Sequence, residues 1–239
     1  MPPEAQIATP RWGIPDAAIG WFVVQLIGQL AAAVVLVASG HVGDDLDELP
    51  LEIVALVQVG LAFGFFIVPF LVTRLKGNGL VADLGFRVRW SDTWRGGALG
   101  ALLQFPVLPL LYWPILRLAD KSASDLEGPA RSLGDRADGV TGSLLLILIV
   151  GVVAPIFEEL FYRGLLQRAL LKRGLPPLLA VGTTALVFGA SHLQLLQLPA
   201  LVLVGAVFGW LAHHYGRLGP AIAAHVAFNM VTVIALLAG

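Results

Sequence analysis

The sequence predicts an all-α polytopic membrane protein with seven to eight transmembrane helices, on three observations. Of its 239 residues, 57% are hydrophobic and only 13% are charged. Charged residues make up about 25% of soluble chains, and a soluble domain of this length must keep much of its surface polar. The apolar residues also fall into charge-free stretches of about 20 residues, the length of helix that crosses a bilayer. These observations exclude an ordinary soluble enzyme and a disordered protein.

The charge-free stretches define the predicted spans in chain order. They are residues 17–38, 53–73, 96–116, 139–157 and 218–239, together with the uncharged run 174–216. At 1.5 Å per residue that run would be roughly 65 Å long as one helix, so it must form two spans. The glutamines and proline of residues 194–199 mark the break between them. Residues 160–173 add an eighth span if they form membrane-embedded structure of their own.

The chain is predicted to be one integral membrane domain over residues 1–239. Residues 1–138 supply the N-terminal spans and a surface segment, and residues 139–239 supply spans that carry unusual polar residues. The net charge of -1 gives no reason to expect a nucleic-acid partner. With no cysteine, the chain has neither a disulfide nor a thiolate nucleophile.

Lysine and arginine in the loops predict the orientation, since cytoplasmic loops carry an excess of these residues. The loop after the first span is acidic and has no Lys or Arg before the second span. It carries Asp44, Asp45, Asp47 and Glu48. Residues 74–95 carry five basic residues, and residues 163–173 carry four. The alternation predicts a multi-pass protein of the cell membrane with a cytoplasmic N-terminus and an outward C-terminus.

Ionisable side chains are rare inside a bilayer and usually mark function. The first three predicted spans contain none, and their four glutamines are interpreted as interhelical hydrogen-bond partners. These are Gln25, Gln29, Gln58 and Gln104. The C-terminal spans and their ends differ, because they carry carboxylates, imidazoles, a guanidinium and an amide. These residues are Glu158, Glu159, Arg163, His192, His225 and Asn229.

The spacing of these residues predicts which of them share a helix face. Glu159 and Arg163 are four residues apart, so they can pair and leave Glu158 free and partly desolvated. Phe188 precedes His192 by the same spacing, which lets the ring pack against the imidazole. The last span presents a histidine and an asparagine, again four residues apart, on one face. A free carboxylate with imidazole and amide groups suits hydrolysis, because it supplies a general base and donors for an oxyanion.

Each motif also has a structural interpretation. The paired glutamates can be a cytoplasmic helix end with surface ion pairs, His192 a packing histidine, and the last-span pair a helix–helix contact. Their order within one apolar region favours a site. No His-Glu-x-x-His and no Gly-x-Ser-x-Gly sequence occurs, so the common zinc-protease and serine-hydrolase motifs are missing.

The three motifs, in this order, resemble those of the CPBP family, the CAAX proteases and bacteriocin-processing membrane proteins that are also called Abi proteins. They read EELFYR at residues 158–163, FGASH at 188–192 and HVAFN at 225–229, and the resemblance covers about residues 140–235. It implies a multi-helix α fold with an intramembrane peptidase site open to the cytosolic side.

The resemblance also implies roles for individual residues. Glu158 would be the base that activates water, and His192 would hold that water or a metal. His225 and Asn229 would line the oxyanion site. The supporting residues would be Glu159, Arg163 and Phe188.

Two mechanisms stay open at this point. A glutamate with two histidines, here Glu158, His192 and His225, would suit a catalytic zinc with three protein ligands and a water, as in a metalloprotease. A glutamate bound to zinc cannot also be a free base, and Glu159 is expected to pair with Arg163. We therefore prefer the metal-independent mechanism, with no cofactor.

The leading hypothesis is an endopeptidase that hydrolyses a membrane-associated peptide or protein near the cytosolic face. The alternative is a non-enzymatic membrane protein that uses the same polar cluster for binding, transport or immunity. In either case the partners are the lipid bilayer and a peptide or protein.

Counting residues places Glu158 near the cytoplasmic end of the fourth span and His192 towards the far side of the fifth. They meet only if the fourth helix continues past Arg163, or if the fifth starts late or tilts.

Overall fold

The computed structural model describes residues 9–45 and 48–238. Within these ranges the regular elements are helices and no strand occurs, which confirms the all-α class. The helices are α1 Ile14–Ser39, α2 Leu51–Lys76, α3 Leu80–Leu84, α4 Trp90–Leu118, α5 Ala123–Gly134, α6 Gly139–Lys172, α7 Pro177–Ala190, α8 Leu198–Tyr215 and α9 Gly219–Ala238. Asp47, used above for the orientation, and Gly239, the end of the last predicted span, lie outside the described residues.

Within the described residues, six helices are long and apolar enough to cross a membrane, namely α1, α2, α4, α6, α8 and α9. The remaining predicted span is α7, which has 14 residues and is shorter than a full crossing. The break in the long uncharged run lies at residues 191–197, close to its predicted position. Large apolar side chains such as Phe22 of α1 and Phe105 of α4 are exposed on the outside of the bundle, as expected where a protein contacts lipid.

Among the helices of residues 9–45 and 48–238, α6 is the longest, with 34 residues. The sequence placed the end of the fourth span at Phe157, but the helix continues to Lys172, so residues 160–172 are its second half and not a separate span. Two segments of α6 are π-helical, Ile147–Val153 and Leu160–Leu166. Such segments often occur at functional sites. Here they flank the paired glutamates.

Glycines allow several helices to approach one another closely. Gly96 and Gly100 of α4 lie against α9, and a Cβ at either position would collide with the α9 backbone. Gly60 of α2 has no room for a Cβ beside Ala31 of α1. Gly205 of α8 lies against α7. Small residues at these positions therefore serve as helix-packing sites.

The end of the bundle that carries the basic loop is closed by packed side chains. Trp12, just before α1, is buried, and its Nε1 donates to Asp83 Oδ2 at 3.1 Å. Leu84 and Leu218 are completely buried. The backbone N–H of Leu218 donates to the carbonyl oxygen of Gly85 at 2.9 Å. The segment after α3 therefore fixes the turn that leads into α9.

Candidate active site

Glu159 and Arg163 form a completely buried ion pair in α6. Arg163 Nη1 donates to Glu159 Oε1 at 2.7 Å, and both side chains are 0% exposed. Arg163 Nη2 donates to the carbonyl oxygen of Gly205 in α8 at 2.9 Å. The guanidinium also lies 4.5 Å from the ring centre of Phe188. The pairing predicted from the spacing is confirmed, and it ties α6 to α7 and α8.

His225 of α9 is the second partner of Glu159. Its Nδ1 lies 2.9 Å from Glu159 Oε1. Because a carboxylate only accepts hydrogen bonds, Nδ1 carries a proton. His225 Nε2 lies 3.8 Å from Glu158 Oε2. The ring of Phe208, from α8, stacks on the imidazole with 4.9 Å between the ring centres. One imidazole thus lies between the two adjacent carboxylates.

Glu158 is the more accessible of the two carboxylates. Its side chain is 19% exposed, whereas that of Glu159 is 0% exposed. At 3.8 Å, its contact with His225 Nε2 is an ion-pair distance and too long for a hydrogen bond. Adjacent residues on a helix point about 100° apart, so Glu158 lies beside Nε2 of His225, whereas Glu159 accepts from Nδ1 of the same ring. The structure therefore leaves Glu158 available to a ligand, as the spacing predicted.

His192 follows α7, in the loop of residues 191–197. Its Nδ1 lies 2.8 Å from the carbonyl oxygen of Phe188. A carbonyl only accepts, so Nδ1 carries the proton and Nε2 of the neutral ring keeps its lone pair. The Phe188 ring stands edge-on to His192 at 4.8 Å and to His225 at 5.7 Å. The predicted contact between Phe188 and His192 is confirmed, and this ring contacts both imidazoles.

Asn229 lies one turn after His225 on α9 and faces α6. Its Nδ2 donates to the carbonyl oxygen of Val150 at 2.9 Å. Val150 belongs to the first π-helical segment of α6. An amide nitrogen has two hydrogens, so one N–H of Asn229 stays available beside the site. Asn229 thus links α9 to α6 and can still donate to a ligand.

The structure adds residues that the sequence analysis did not single out. Tyr162 Oη lies 2.7 Å from Ser191 Oγ, and Ser191 Oγ donates to the carbonyl oxygen of Phe188 at 2.8 Å. Since the serine proton is used, Tyr162 donates to Ser191 and holds the residue beside His192. Tyr162 lies within the EELFYR motif, so the motif could have pointed to it. Phe208 lies in a uniformly apolar run, where nothing in the sequence distinguishes it from its neighbours.

A zinc site was the alternative for Glu158, His192 and His225. Within the described ranges, no group of three His, Asp or Glu side chains is placed to hold a metal ion. The donor set as arranged here does not fit a zinc with three protein ligands.

Comparison with known families agrees with the motifs. Residues 140–231 match the family model described as type II CAAX prenyl endopeptidase, Rce1-like. The matching region contains all three motifs and agrees with the resemblance drawn from them. No curated protein and no solved structure gives a significant match to the chain.

Proposed function

We propose that this chain, whose residues 140–231 match the Rce1-like family model, is an intramembrane endopeptidase that uses water activated by Glu158. Its substrate is a membrane-associated peptide or protein. The observation that supports the proposal best is the contrast between two adjacent carboxylates. Glu159 is 0% exposed and paired with Arg163, whereas Glu158 is 19% exposed and has no hydrogen bond within the described residues. Two carboxylates in different environments can take different roles.

Glu158 is the general base of the proposed reaction. Its carboxylate takes a proton from a water molecule while the water oxygen attacks the carbonyl carbon of the peptide bond. The neutral His192 ring offers the lone pair of Nε2 to a hydrogen of that water and orients it. When the tetrahedral intermediate collapses, the protonated Glu158 gives its proton to the leaving amine. The products are a carboxylic acid and an amine, and the base is restored.

His225 and Asn229 stabilise the oxyanion of the tetrahedral intermediate. The buried Glu159 carboxylate accepts from His225 Nδ1 at 2.9 Å and orients the ring so that Nε2 lies on the side of Glu158. When Nε2 carries a proton, its N–H donates to the oxyanion. The second N–H of Asn229 is an additional donor. Fixed donors in a water-poor site lower the barrier because they need no rearrangement as charge develops. Arg163 and Glu159 act by holding His225 in place.

A comparison of cells tests this function directly. Glu158→Gln keeps the shape of the side chain but removes the base, so membrane-associated peptides that wild-type cells cleave should accumulate uncut. Glu52→Gln is the matched control, because Glu52 is exposed in the first turn of α2. Peptide profiles that are identical in all three strains would contradict the peptidase function. They would favour the alternative of a protein that only binds its partner.

A further inference from the structure

A surface segment, residues 87–95, lies directly before the charge-free stretch 96–116 of α4 and contains none of the candidate site residues. It exposes two tryptophans, Trp90 by 85% and Trp94 by 60%. Tryptophan favours the boundary between hydrocarbon and water, because its ring is apolar and its N–H is polar. Since α4 is long enough to cross the membrane, the surface segment lies at the level of the lipid headgroups.

The exposed charges of the surface segment are all positive. Arg87, Arg89 and Arg95 are exposed, and none of their side chains forms an ion pair with a described residue. The one acidic residue of the segment, Asp92, is 2% exposed, and its Oδ2 accepts from Arg217 Nε at 3.2 Å. The segment therefore turns its carboxylate into the bundle and leaves three guanidinium groups outside.

Hydrogen bonds of the backbone hold the surface segment in place. The N–H of Gly219, at the start of α9, donates to the carbonyl oxygen of Arg87 at 3.0 Å. The N–H of Arg89 donates to Asp92 Oδ2 at 2.9 Å, which caps α4. These bonds use main-chain atoms of the two arginines and leave their guanidinium groups available. Because the backbone is fixed before a ligand arrives, binding at this surface costs less ordering.

The uniform sign of charge is a feature of this segment. Residues 117–138, which follow the membrane-spanning part of the same helix, mix four basic and five acidic residues. In the surface segment the guanidinium carbon of Arg95 also lies 4.9 Å from the ring centre of Trp94. A cation and an apolar ring are thus presented side by side, which suits a ligand with an anionic head and a hydrocarbon tail.

Unpaired guanidinium groups at the membrane surface favour phosphate as a partner, because a guanidinium can donate two parallel N–H bonds to it. Every phospholipid carries such a phosphate. Choline and ethanolamine headgroups add a positive charge that opposes binding to arginine, whereas a headgroup with net negative charge does not. The chemistry of the segment therefore selects anionic phospholipids over zwitterionic ones.

We propose that residues 87–95 form a binding surface for anionic phospholipids. The three arginines contact the headgroup phosphates, and the two tryptophans lie at the boundary with the acyl chains. The orientation predicted from the loops places this surface at the cytoplasmic leaflet, where anionic lipids are concentrated. The proposal is independent of the peptidase function, because the segment supplies no residue to the candidate active site.

The lipid selectivity of the reconstituted protein tests the proposal. Vesicles of phosphatidylcholine receive a small fraction of phosphatidylglycerol or phosphatidylcholine with a dansyl group on one acyl chain, and energy transfer from tryptophan to dansyl gives the relative affinities. Wild-type protein should prefer phosphatidylglycerol at least about fivefold, which is the attraction of about one arginine at an anionic surface. The preference should disappear at high salt, because the screening length falls from about 30 Å at 0.01 M to about 3 Å at 1 M. Equal affinities at low salt, or a preference that survives 1 M salt, would overturn the proposal.

A triple variant tests the location of the surface. Arg87→Gln, Arg89→Gln and Arg95→Gln together should lower the preference for phosphatidylglycerol at least about fivefold. The matched control makes the same change at three exposed arginines elsewhere at this end of the bundle and should keep most of the preference. These are Arg11, Arg74 and Arg173. Equal losses in the two triple variants would overturn the proposal, because the attraction would then belong to the net charge of the whole end.

Thermal unfolding of the wild-type protein in detergent gives a readout that needs no variant. A ligand that binds only the folded state raises the unfolding temperature. Phosphatidylglycerol should raise it more than the same amount of phosphatidylcholine, and 1 M salt should remove the difference. Equal effects of the two lipids would overturn the proposal and leave the peptidase function untouched.

Discussion

Replacing Glu159 by glutamine tests the central ion pair of the site. The carboxylate accepts hydrogen bonds from Arg163 Nη1 at 2.7 Å and from His225 Nδ1 at 2.9 Å. Glutamine keeps the shape and one acceptor oxygen, but it removes the charge that balances a guanidinium that is 0% exposed. Removing one partner of a buried ion pair costs about 3–5 kcal/mol, since the other charge stays desolvated. We expect Glu159→Gln to lower the free energy of unfolding by this amount.

Glu158→Gln is the matched control, because it makes the same chemical change one residue earlier. Glu158 is 19% exposed and its contact with His225 is 3.8 Å long. Partly exposed, weakly paired groups contribute little to stability, so we expect Glu158→Gln to lower the free energy of unfolding by less than about 1 kcal/mol. Glu159→Gln combined with Arg163→Met removes both charges and should recover part of the stability, since an apolar replacement of a buried pair is often tolerated.

The assay is thermal unfolding of the purified proteins in one detergent, followed by the fluorescence of the six tryptophans. We expect a markedly lower unfolding temperature and a lower yield for Glu159→Gln, and values near wild type for Glu158→Gln. Equal unfolding temperatures for the two single variants would refute the assignment of Glu159 to structure and Glu158 to chemistry.

Three further predictions address orientation, metal and the loop beside His192. In intact cells, an impermeant thiol reagent should label Asp44→Cys and leave Arg87→Cys unlabelled. Labelling of Arg87→Cys would show that the predicted orientation in the membrane is wrong. Activity should persist after thorough chelation, with less than one equivalent of bound transition metal; loss with 1,10-phenanthroline and recovery with zinc would establish a metal mechanism. Tyr162→Phe removes the 2.7 Å hydrogen bond to Ser191 and should lower kcat by up to about tenfold, because such a bond contributes about 0.5–1.5 kcal/mol. Unchanged kcat would show that this bond does not position the loop.

Pairs within one helix were predictable from the sequence. The periodicity of a helix places residues four apart on one face, so the pairing of Glu159 with Arg163 followed from spacing alone. The contact between His225 and Glu159 joins residues 66 positions apart, and it depends on how α9 crosses α6. No local pattern specifies that crossing. The same holds for Phe208, whose stacking on His225 has no counterpart in the sequence.

The end of α6 was placed too early for a physical reason. Hydropathy ends a span at the first charged residues, which here are the two glutamates. The helix continues because its polar side chains find partners inside the bundle. Arg163 donates to the carbonyl oxygen of Gly205 at 2.9 Å, and Gln167 donates to that of Gly209 at 2.8 Å. The position of His192 follows from the short α7, which ends at Ala190. Phe188, near the end of α7, contacts both His192 and His225, so His192 lies near the level of the glutamates that His225 contacts.

Turnover by Glu158→Gln tests the central claim most directly. The measurement compares kcat of purified, reconstituted wild-type and Glu158→Gln proteins on a peptide identified in the cell comparison, with Glu52→Gln as control. Loss of a general base typically costs 10²–10⁴-fold, so kcat should fall by roughly that factor while the unfolding temperature and the Kd for the peptide stay close to wild type. A Glu158→Gln protein that retains near wild-type kcat would contradict the assignment of Glu158 as the base.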